Sequence, residues 1–221
     1  MNTPMIQRLV LKDWYFQRWP LAGYLAAGAV AIALIAGGTN GSFYAGTVLL
    51  ITVMITCGIS QVWATVIAER NDHTLPFIMS LPISPIDYTA AKIAANLSIF
   101  LVPWTALTVG TLVLLGIGAP GMVPLATLTL VEMFASYCLI LMVAIVTESG
   151  GWTIGVMAGL NLFLQAYLYF VSRMPGVARS MKGKIAIWDR GAITLLVIEI
   201  VLSFLFLGLA FVLRARKKDF L

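Results

Sequence analysis

The chain has 221 residues, of which 61% are hydrophobic and only 10% are charged, with a formal net charge of +5. A soluble domain is roughly half apolar and roughly a quarter charged, so this composition indicates a membrane protein. The basic residues lie between apolar runs, not in a stripe interleaved with aromatics, which argues against nucleic-acid binding. Cys57 and Cys138 both lie inside apolar runs, a position that favours neither a disulfide framework nor a zinc site.

Residues 3–19 have the pattern of an amphipathic helix. Ile6, Leu9 and Trp14 cluster on one side at helical spacing, while Arg8 and Lys12 fall elsewhere. A helix with Trp and Leu on one face and basic residues on another can lie in the membrane interface. We therefore expect an interfacial helix over residues 1–19, with a short disordered tail as the alternative.

The rest of the chain, residues 20–221, divides into apolar runs long enough to cross a bilayer. Uncharged turns at 37–41 and 116–121 and a tight turn at 147–151 separate several of them. The third run is long, and its first turns, up to Lys92, are expected to stand in water. The expected fold is an all-α membrane protein with an N-terminal interfacial helix and six transmembrane helices, at 20–38, 43–68, 86–116, 122–147, 151–172 and 191–213.

The distribution of Lys and Arg predicts the orientation of these spans. With the N-terminus inside, nine basic residues lie on the cytoplasmic side and five outside. Positive charge concentrates in cytoplasmic segments, so both termini are expected to be cytoplasmic. The five basic residues on the outer side do not follow this rule.

Residues 68–92 interrupt the apolar pattern with charges, a histidine and three prolines. Thr74 can cap a helix that has Pro76 in its first turn and must end before Pro82. Ser84 can then cap the third span. The short helix 75–81 is too apolar to face water, so it either folds against its own spans or docks in a groove on a separate protein.

This segment resembles the cytoplasmic loop of ABC type-2 transporter permeases, in the order Glu69, Asp72, Thr74, Leu81-Pro82-Ile83-Ser84, Tyr88 and Lys92. The resemblance implies a coupling helix near 74–82, although Pro76 departs from the usual helix former there. It also implies a re-entrant loop near 173–190 on the outer side. The residues it assigns to the interface with an ATPase subunit are Glu69, Arg70, Asp72, Thr74, Phe77, Ile78, Leu81, Pro82 and Ser84.

The resemblance also implies the partners. No G-x-x-x-x-G-K-[ST] phosphate-binding motif occurs in the sequence, so ATP and Mg would be bound by a separate ATPase subunit and the chain itself would be neither an enzyme nor a cofactor carrier. The family pairs two permease copies, identical or related, in the bacterial inner (plasma) membrane. Such a permease would export an amphipathic or hydrophobic substrate, which could be a lipid, a drug or a peptide.

Polar residues inside predicted spans are candidates for the substrate pathway. Glu132 and Glu199 fall at a similar depth from the outer side. They could line a cavity, or they could be structural, either protonated or paired with an arginine such as Arg173 or Arg190. Asn161 and Gln165 share a helical face and could line the pathway or hydrogen-bond between helices. Glycines at 151, 155 and 159 form a small-residue stripe that predicts close packing against another helix of this chain or of a second copy.

The outer loop carries five basic residues that could serve two purposes. They could bind anionic lipid headgroups, or they could neutralise Glu132 and Glu199 below. The number of charges favours lipid contact. These residues are Arg173, Arg179, Lys182, Lys184 and Arg190.

Two other function classes are alternatives to transport. An intramembrane enzyme would need a catalytic pair or a metal site, but the one histidine, His73, is in the loop and no Asp lies within a predicted span. A membrane scaffold or immunity protein could use the same fold without an ATP cycle, and a neighbouring gene for an ATP-binding subunit would separate it from a permease.

Overall fold

The structure is a computed structural model that describes residues 3–71 and 85–216. Helices and short turns make up these residues, and we number the α-helices in chain order. A π-helical turn, Trp63–Ile67, joins α2 to α3, and a 3₁₀ turn, Pro120–Met122, precedes α5. The helices are α1 (Thr3–Ala36), α2 (Asn40–Val62), α3 (Ala68–Asn71), α4 (Pro85–Gly118), α5 (Val123–Thr147), α6 (Gly150–Arg173), α7 (Pro175–Gly183) and α8 (Arg190–Arg216).

Six helical segments in the described ranges are long and apolar enough to cross a membrane, which supports the predicted all-α, multi-pass membrane protein. The fourth is the most enclosed, with 61% of its most apolar window buried, against 17% for the sixth. Helix α5 is therefore the centre of the bundle, and α8 lies at its periphery. The six segments are Met5–Ala36, Asn40–Ile67, Ile86–Gly118, Pro120–Thr147, Gly150–Arg173 and Arg190–Arg214.

Helix α1 differs from the sequence-based expectation at its boundary. It continues without a break from Thr3 through Pro20 to Ala36, so the boundary predicted between residues 19 and 20 is not a helix end. A proline removes one backbone donor, and membrane helices tolerate that loss where neighbouring groups satisfy the freed carbonyl. The 34 residues span about 51 Å, well beyond an apolar core of about 30 Å.

The face of α1 that was expected to enter the membrane interface packs instead on protein. Leu9 is buried against Tyr88 and Ala91 of α4, and the indole Nε1 of Trp14 donates to Ser98 Oγ at 3.1 Å. The exposed apolar residues of this part of α1 are a different set: Leu11, Tyr15, Phe16 and Trp19. Whether the helix lies in the interface remains a prediction, but Leu9 and Trp14 are not its membrane-facing anchors.

The turns between helices follow the local sequence. Thr39 caps α2 by accepting from the Ser42 amide at 3.1 Å, after Gly38 has adopted a positive φ of 73°. Because the long helices alternate in direction, the start of α1, the end of α3, the start of α4, the α5–α6 turn and the end of α8 lie together. We call this the terminus end of the bundle, and the opposite end, with the 37–39, 119–122 and 174–189 connections, the hairpin end.

The predicted coupling helix near 74–82 lies outside the described residues. Of the predicted ATPase-subunit interface, the structure describes the side chain of Glu69 alone and places Arg70 on the backbone of α3. Thr74, Phe77, Ile78, Leu81, Pro82, Ser84 and Asp72 are not described.

Candidate functional sites

A buried group of charges occupies the terminus end, and we call it the charged cluster: Lys12, Asp13, Glu69, Tyr88 and Lys92. Lys92 Nζ donates to Asp13 Oδ2 at 2.9 Å and to Glu69 Oε1 at 2.7 Å. Lys12 Nζ donates to the same Glu69 oxygen at 2.6 Å, and the Tyr88 hydroxyl donates to Glu69 Oε2 at 3.0 Å. The contacts join α1, α3 and α4 in one network.

The cluster balances two positive charges against two negative charges. Lys92 is only 2% exposed, Asp13 4% and Glu69 9%, so both lysine–carboxylate contacts of Lys92 are shielded from water. A buried charge is tolerated when it is paired and hydrogen-bonded. Burial alone would raise the pKa of the Glu69 carboxyl, but the charges and hydrogen bonds of Lys92 and Lys12 outweigh it and hold that pKa below its usual 4.5.

Residues of the charged cluster flank the segment 72–84 in the sequence. Glu69 precedes residues 72–84, and Tyr88 and Lys92 follow them. Both flanks of that segment are therefore fastened to each other and to α1. The sequence singled out Glu69 and Lys92 but missed Lys12 and Asp13, because adjacent opposite charges on a presumed interfacial helix read as solvent-facing.

A second ion pair lies beside the cluster. Arg214, near the end of α8, pairs with Glu148 in the α5–α6 turn, and Arg214 is only 2% exposed. A small cavity of about 20 Å³ lies between this pair and Lys92, and Tyr88 also lines it. The Glu148 carboxylate is thus part of the protein's own packing.

The two intramembrane glutamates line one cavity between α5, α6 and α8. It has a volume of about 420 Å³, and Glu132 and Glu199 lie on it together with Tyr167. Each glutamate is about nine residues from the start of its helix, or roughly 14 Å at 1.5 Å per residue. Apart from Ser136, the remaining walls are apolar.

Neither glutamate contacts a cation among the described residues. Ser136 Oγ donates to Glu132 Oε1 at 2.5 Å, and the Tyr167 hydroxyl donates to Glu199 Oε1. Glu199 Oε2 is buried and has no hydrogen-bond partner in the described parts of the chain. The site combines two buried carboxyl groups, one of them half-satisfied, with an apolar cavity.

Of the other predicted pathway residues, Asn161 lies close to this site and Gln165 does not. Asn161 donates to the Met157 carbonyl at 2.9 Å and lines a smaller cavity of about 40 Å³ that Glu132 also borders. Gln165 is exposed on the outer face of α6. The glycine stripe is on that outer face as well, since no described atom lies within 4 Å of a Cβ built at Gly155 or Gly159. Its predicted packing partner is therefore not a described helix of this chain.

The predicted outer loop contains the nine-residue helix α7, which packs on the 3₁₀ turn before α5. Ser180 is fully buried there, and its single hydroxyl proton lies within reach of the Gly121 and Ile185 carbonyl oxygens, at 3.0 and 2.8 Å from Oγ. The same Oγ accepts from the Ile187 amide at 3.1 Å. Gly121 is required for this approach, because a Cβ at this position would lie 2.4 Å from the Ser180 carbonyl oxygen.

The basic residues of this loop are exposed and make local contacts. The Arg173 guanidinium lies 4.1 Å from the ring centroid of Tyr169, and Arg179 donates to the Pro175 carbonyl at 3.1 Å. Lys182, Lys184 and Arg190 are exposed. Among the described ion pairs, none joins these residues to Glu132 or Glu199, and lipid contact by these residues stays a prediction.

The comparisons with known proteins give no further identification. No family model matches the chain, and neither a curated protein nor a solved structure shows significant similarity to it. The resemblance to ABC type-2 permeases therefore remains a sequence-based expectation, and the structure by itself shows an all-helical membrane protein with a buried charged cluster and an acidic cavity.

Proposed function

We propose that the chain is the transmembrane permease subunit of an ATP-driven ABC exporter. In this proposal an ATPase subunit, which carries the ATP and Mg, docks on residues 69–84 in the cytoplasm. The protein resides in the bacterial inner membrane with both termini cytoplasmic. It moves an amphipathic or hydrophobic substrate.

The observation that carries the proposal is the charged cluster. A docking segment transmits force only if its two ends are held by the helices that must move. Glu69 and Lys92 hold the two ends of residues 72–84 through a 2.7 Å ion pair, and Asp13 ties them to α1. Movement of the segment would then displace α1, α2 and α4 together.

A second copy of the chain completes the proposal. The outer face of α6 exposes Gly151, Gly155 and Gly159, and small residues let membrane helices approach closely. We assign this face to the contact between permease copies.

The test is copurification from host membranes in mild detergent, with photolabelling by 8-azido-ATP. We expect a labelled second polypeptide that carries a G-x-x-x-x-G-K-[ST] motif. Replacing Phe77 and Leu81 with Asp should release it while the permease stays inserted. The matched control is Ile185→Asp, which places the same acid on an exposed apolar residue of the opposite end.

The outcome distinguishes the proposal from its alternative. Loss of the labelled polypeptide in the Phe77/Leu81 variant, with retention in the control, supports the permease assignment. A chain that copurifies with no nucleotide-binding polypeptide would instead be a membrane scaffold or immunity protein.

A further inference from the structure

The cavity between α5, α6 and α8 has the features of a binding site for a specific charge type. We propose that it binds a lipophilic cation of small-molecule size, an amine or quaternary onium group on an apolar body, with Glu132 and Glu199 as its counter-charges. This inference rests on the proposed function in that it names a substrate class for the exporter.

The first argument is the state of the carboxyl groups. Glu199 is 4% exposed and Glu132 5%, and Glu199 Oε2 points to no hydrogen-bond donor among the described residues. An ionised carboxylate in an apolar site is strongly unfavourable unless a positive charge or donors compensate it. The only described donors are one hydroxyl each, from Ser136 and Tyr167. A ligand cation would supply the missing charge.

The second argument is the composition of the walls. Apart from the carboxyl and hydroxyl groups, the cavity is lined by aliphatic and aromatic side chains, including Phe163, Tyr167 and Phe206. The rings of Phe163 and Tyr167 lie 6.0 Å apart, centroid to centroid. Aromatic faces attract ammonium and onium cations, most strongly where water is excluded.

The third argument is size and access. A volume of about 420 Å³ lies within the range of roughly 300–1,000 Å³ that accommodates drug-sized ligands. Three apolar side chains on the cavity are partly exposed on the outer surface of the bundle: Phe163 at 52%, Ile198 at 48% and Leu202 at 38%. A lipophilic ligand could therefore enter sideways from the membrane without crossing the charged cluster.

The competing explanation is that an arginine of the hairpin end neutralises the glutamates. The described contacts do not favour it, since Arg173 lies over Tyr169 and Arg190 is exposed. Among the described residues no basic side chain neutralises the site, so its carboxyl groups either hold a proton or pair with a cation from outside the described protein.

The experiment measures equilibrium binding of radiolabelled tetraphenylphosphonium to the full chain in lipid nanodiscs, with no nucleotide. Tetraphenylborate, which has nearly the same shape and the opposite charge, is the matched ligand control, and empty nanodiscs correct for partition into lipid. We expect saturable binding of the phosphonium and none of the borate.

Substitutions then assign the site. Glu199→Gln and Glu132→Gln should each weaken phosphonium binding about tenfold or more, since one charge pair in an apolar site contributes at least about 1.4 kcal/mol. Glu199→Asp and Glu132→Asp keep the charge and should retain most of the binding. Thermal unfolding of each variant checks that it is folded. The unfolding is monitored by the reaction of a thiol dye with Cys57 and Cys138, which are buried in the folded protein.

Equal binding of both ions, or phosphonium binding that is unchanged in folded Gln variants, would overturn the inference. Because no ATPase subunit is needed, this failure is distinct from failure of the proposed function. If the chain copurified with an ATPase subunit but did not bind the phosphonium, the proposed substrate class would be wrong and the permease assignment would stand.

Discussion

Lys92 Nζ lies 2.7 Å from Glu69 Oε1, so one buried ion pair joins the helices on either side of residues 72–84. Lys92 also contacts Asp13 on α1, and its side chain is almost fully enclosed. The pair therefore links the architecture of the bundle to the segment that we assign to ATPase docking.

Replacing Lys92 with Met should destabilise the protein strongly. The substitution keeps the size of the side chain but removes the buried ammonium group that pairs with both Asp13 and Glu69. Breaking a buried pair on one side costs about 3–5 kcal/mol. A fall in the thermal unfolding midpoint, measured with a thiol dye on Cys57 and Cys138, would show the loss. Lys182→Met is the control, since Lys182 is exposed. Equal midpoints for the two variants would contradict a stabilising role for the cluster.

The stability contributed by Glu69 should depend on pH. Its pKa is lowered in the folded state, so its contribution is present above the ordinary value of 4.5 and is lost as the pH falls through the lower folded-state value. We expect Glu69→Gln to have a lower free energy of unfolding than the parent at pH 7. The difference between the two proteins should become smaller below about pH 4.5. If the difference in free energy of unfolding stayed constant from pH 7 to pH 3, the ionised Glu69 carboxylate would not be its source.

Gly121→Ala should loosen the hairpin end. The added methyl would lie 2.4 Å from the Ser180 carbonyl oxygen, and such overpacking typically costs about 1–3 kcal/mol. Gly116→Ala provides the matched control, because no described atom outside the local helix backbone lies within 4 Å of a Cβ there. Hydrogen exchange of the amides in α7 should speed up in the first variant only. Unchanged exchange in both would show that the turn can move away without cost.

The basic residues of the hairpin end should recognise anionic lipid. A basic side chain near an anionic surface gains about 1 kcal/mol, so Lys182→Gln with Lys184→Gln should reduce the extra thermal stability that phosphatidylglycerol nanodiscs give over phosphatidylcholine nanodiscs. The double Arg variant keeps the charge and should keep the effect. If the double Gln variant lost the same amount of thermal stability in both lipids, these lysines would have a role inside the protein instead.

The proposed orientation can be tested by cysteine labelling in a background without Cys57 and Cys138. We expect Lys184→Cys to react with an impermeant thiol reagent in intact cells, and Gln7→Cys to react only after the membrane is opened. Both positions are exposed, whereas Ser180 in the same loop is fully buried and would be a poor reporter. The reverse pattern would place both termini outside.

The sequence predicted the spans well because each apolar run has only one way to satisfy its backbone in a bilayer, which is to form a helix. It failed at the boundary between residues 19 and 20, since a change from an amphipathic to an apolar pattern does not by itself end a helix. It also assigned the wrong environment to Leu9 and Trp14. An amphipathic pattern shows that a face is apolar, but it does not show whether lipid or protein covers that face.

The functional residues were found unevenly for a similar reason. Glu132 and Glu199 could be found from the sequence, because a carboxyl group inside an apolar run is rare and its burial in a membrane costs free energy. Lys12 and Asp13 are ordinary charges in a polar stretch. Only the packing of α1 against α4 reveals that Asp13 is buried beside Lys92.

Site-specific photocrosslinking from residue 77 in host membranes tests whether an ATPase subunit docks on this segment. With p-benzoylphenylalanine in place of Phe77, we expect a crosslink to a polypeptide that carries a G-x-x-x-x-G-K-[ST] motif, and no such crosslink from the same probe at Ile185. Crosslinks from residue 77 that reach only lipid or the chain itself would contradict the docking of an ATPase subunit on residues 69–84.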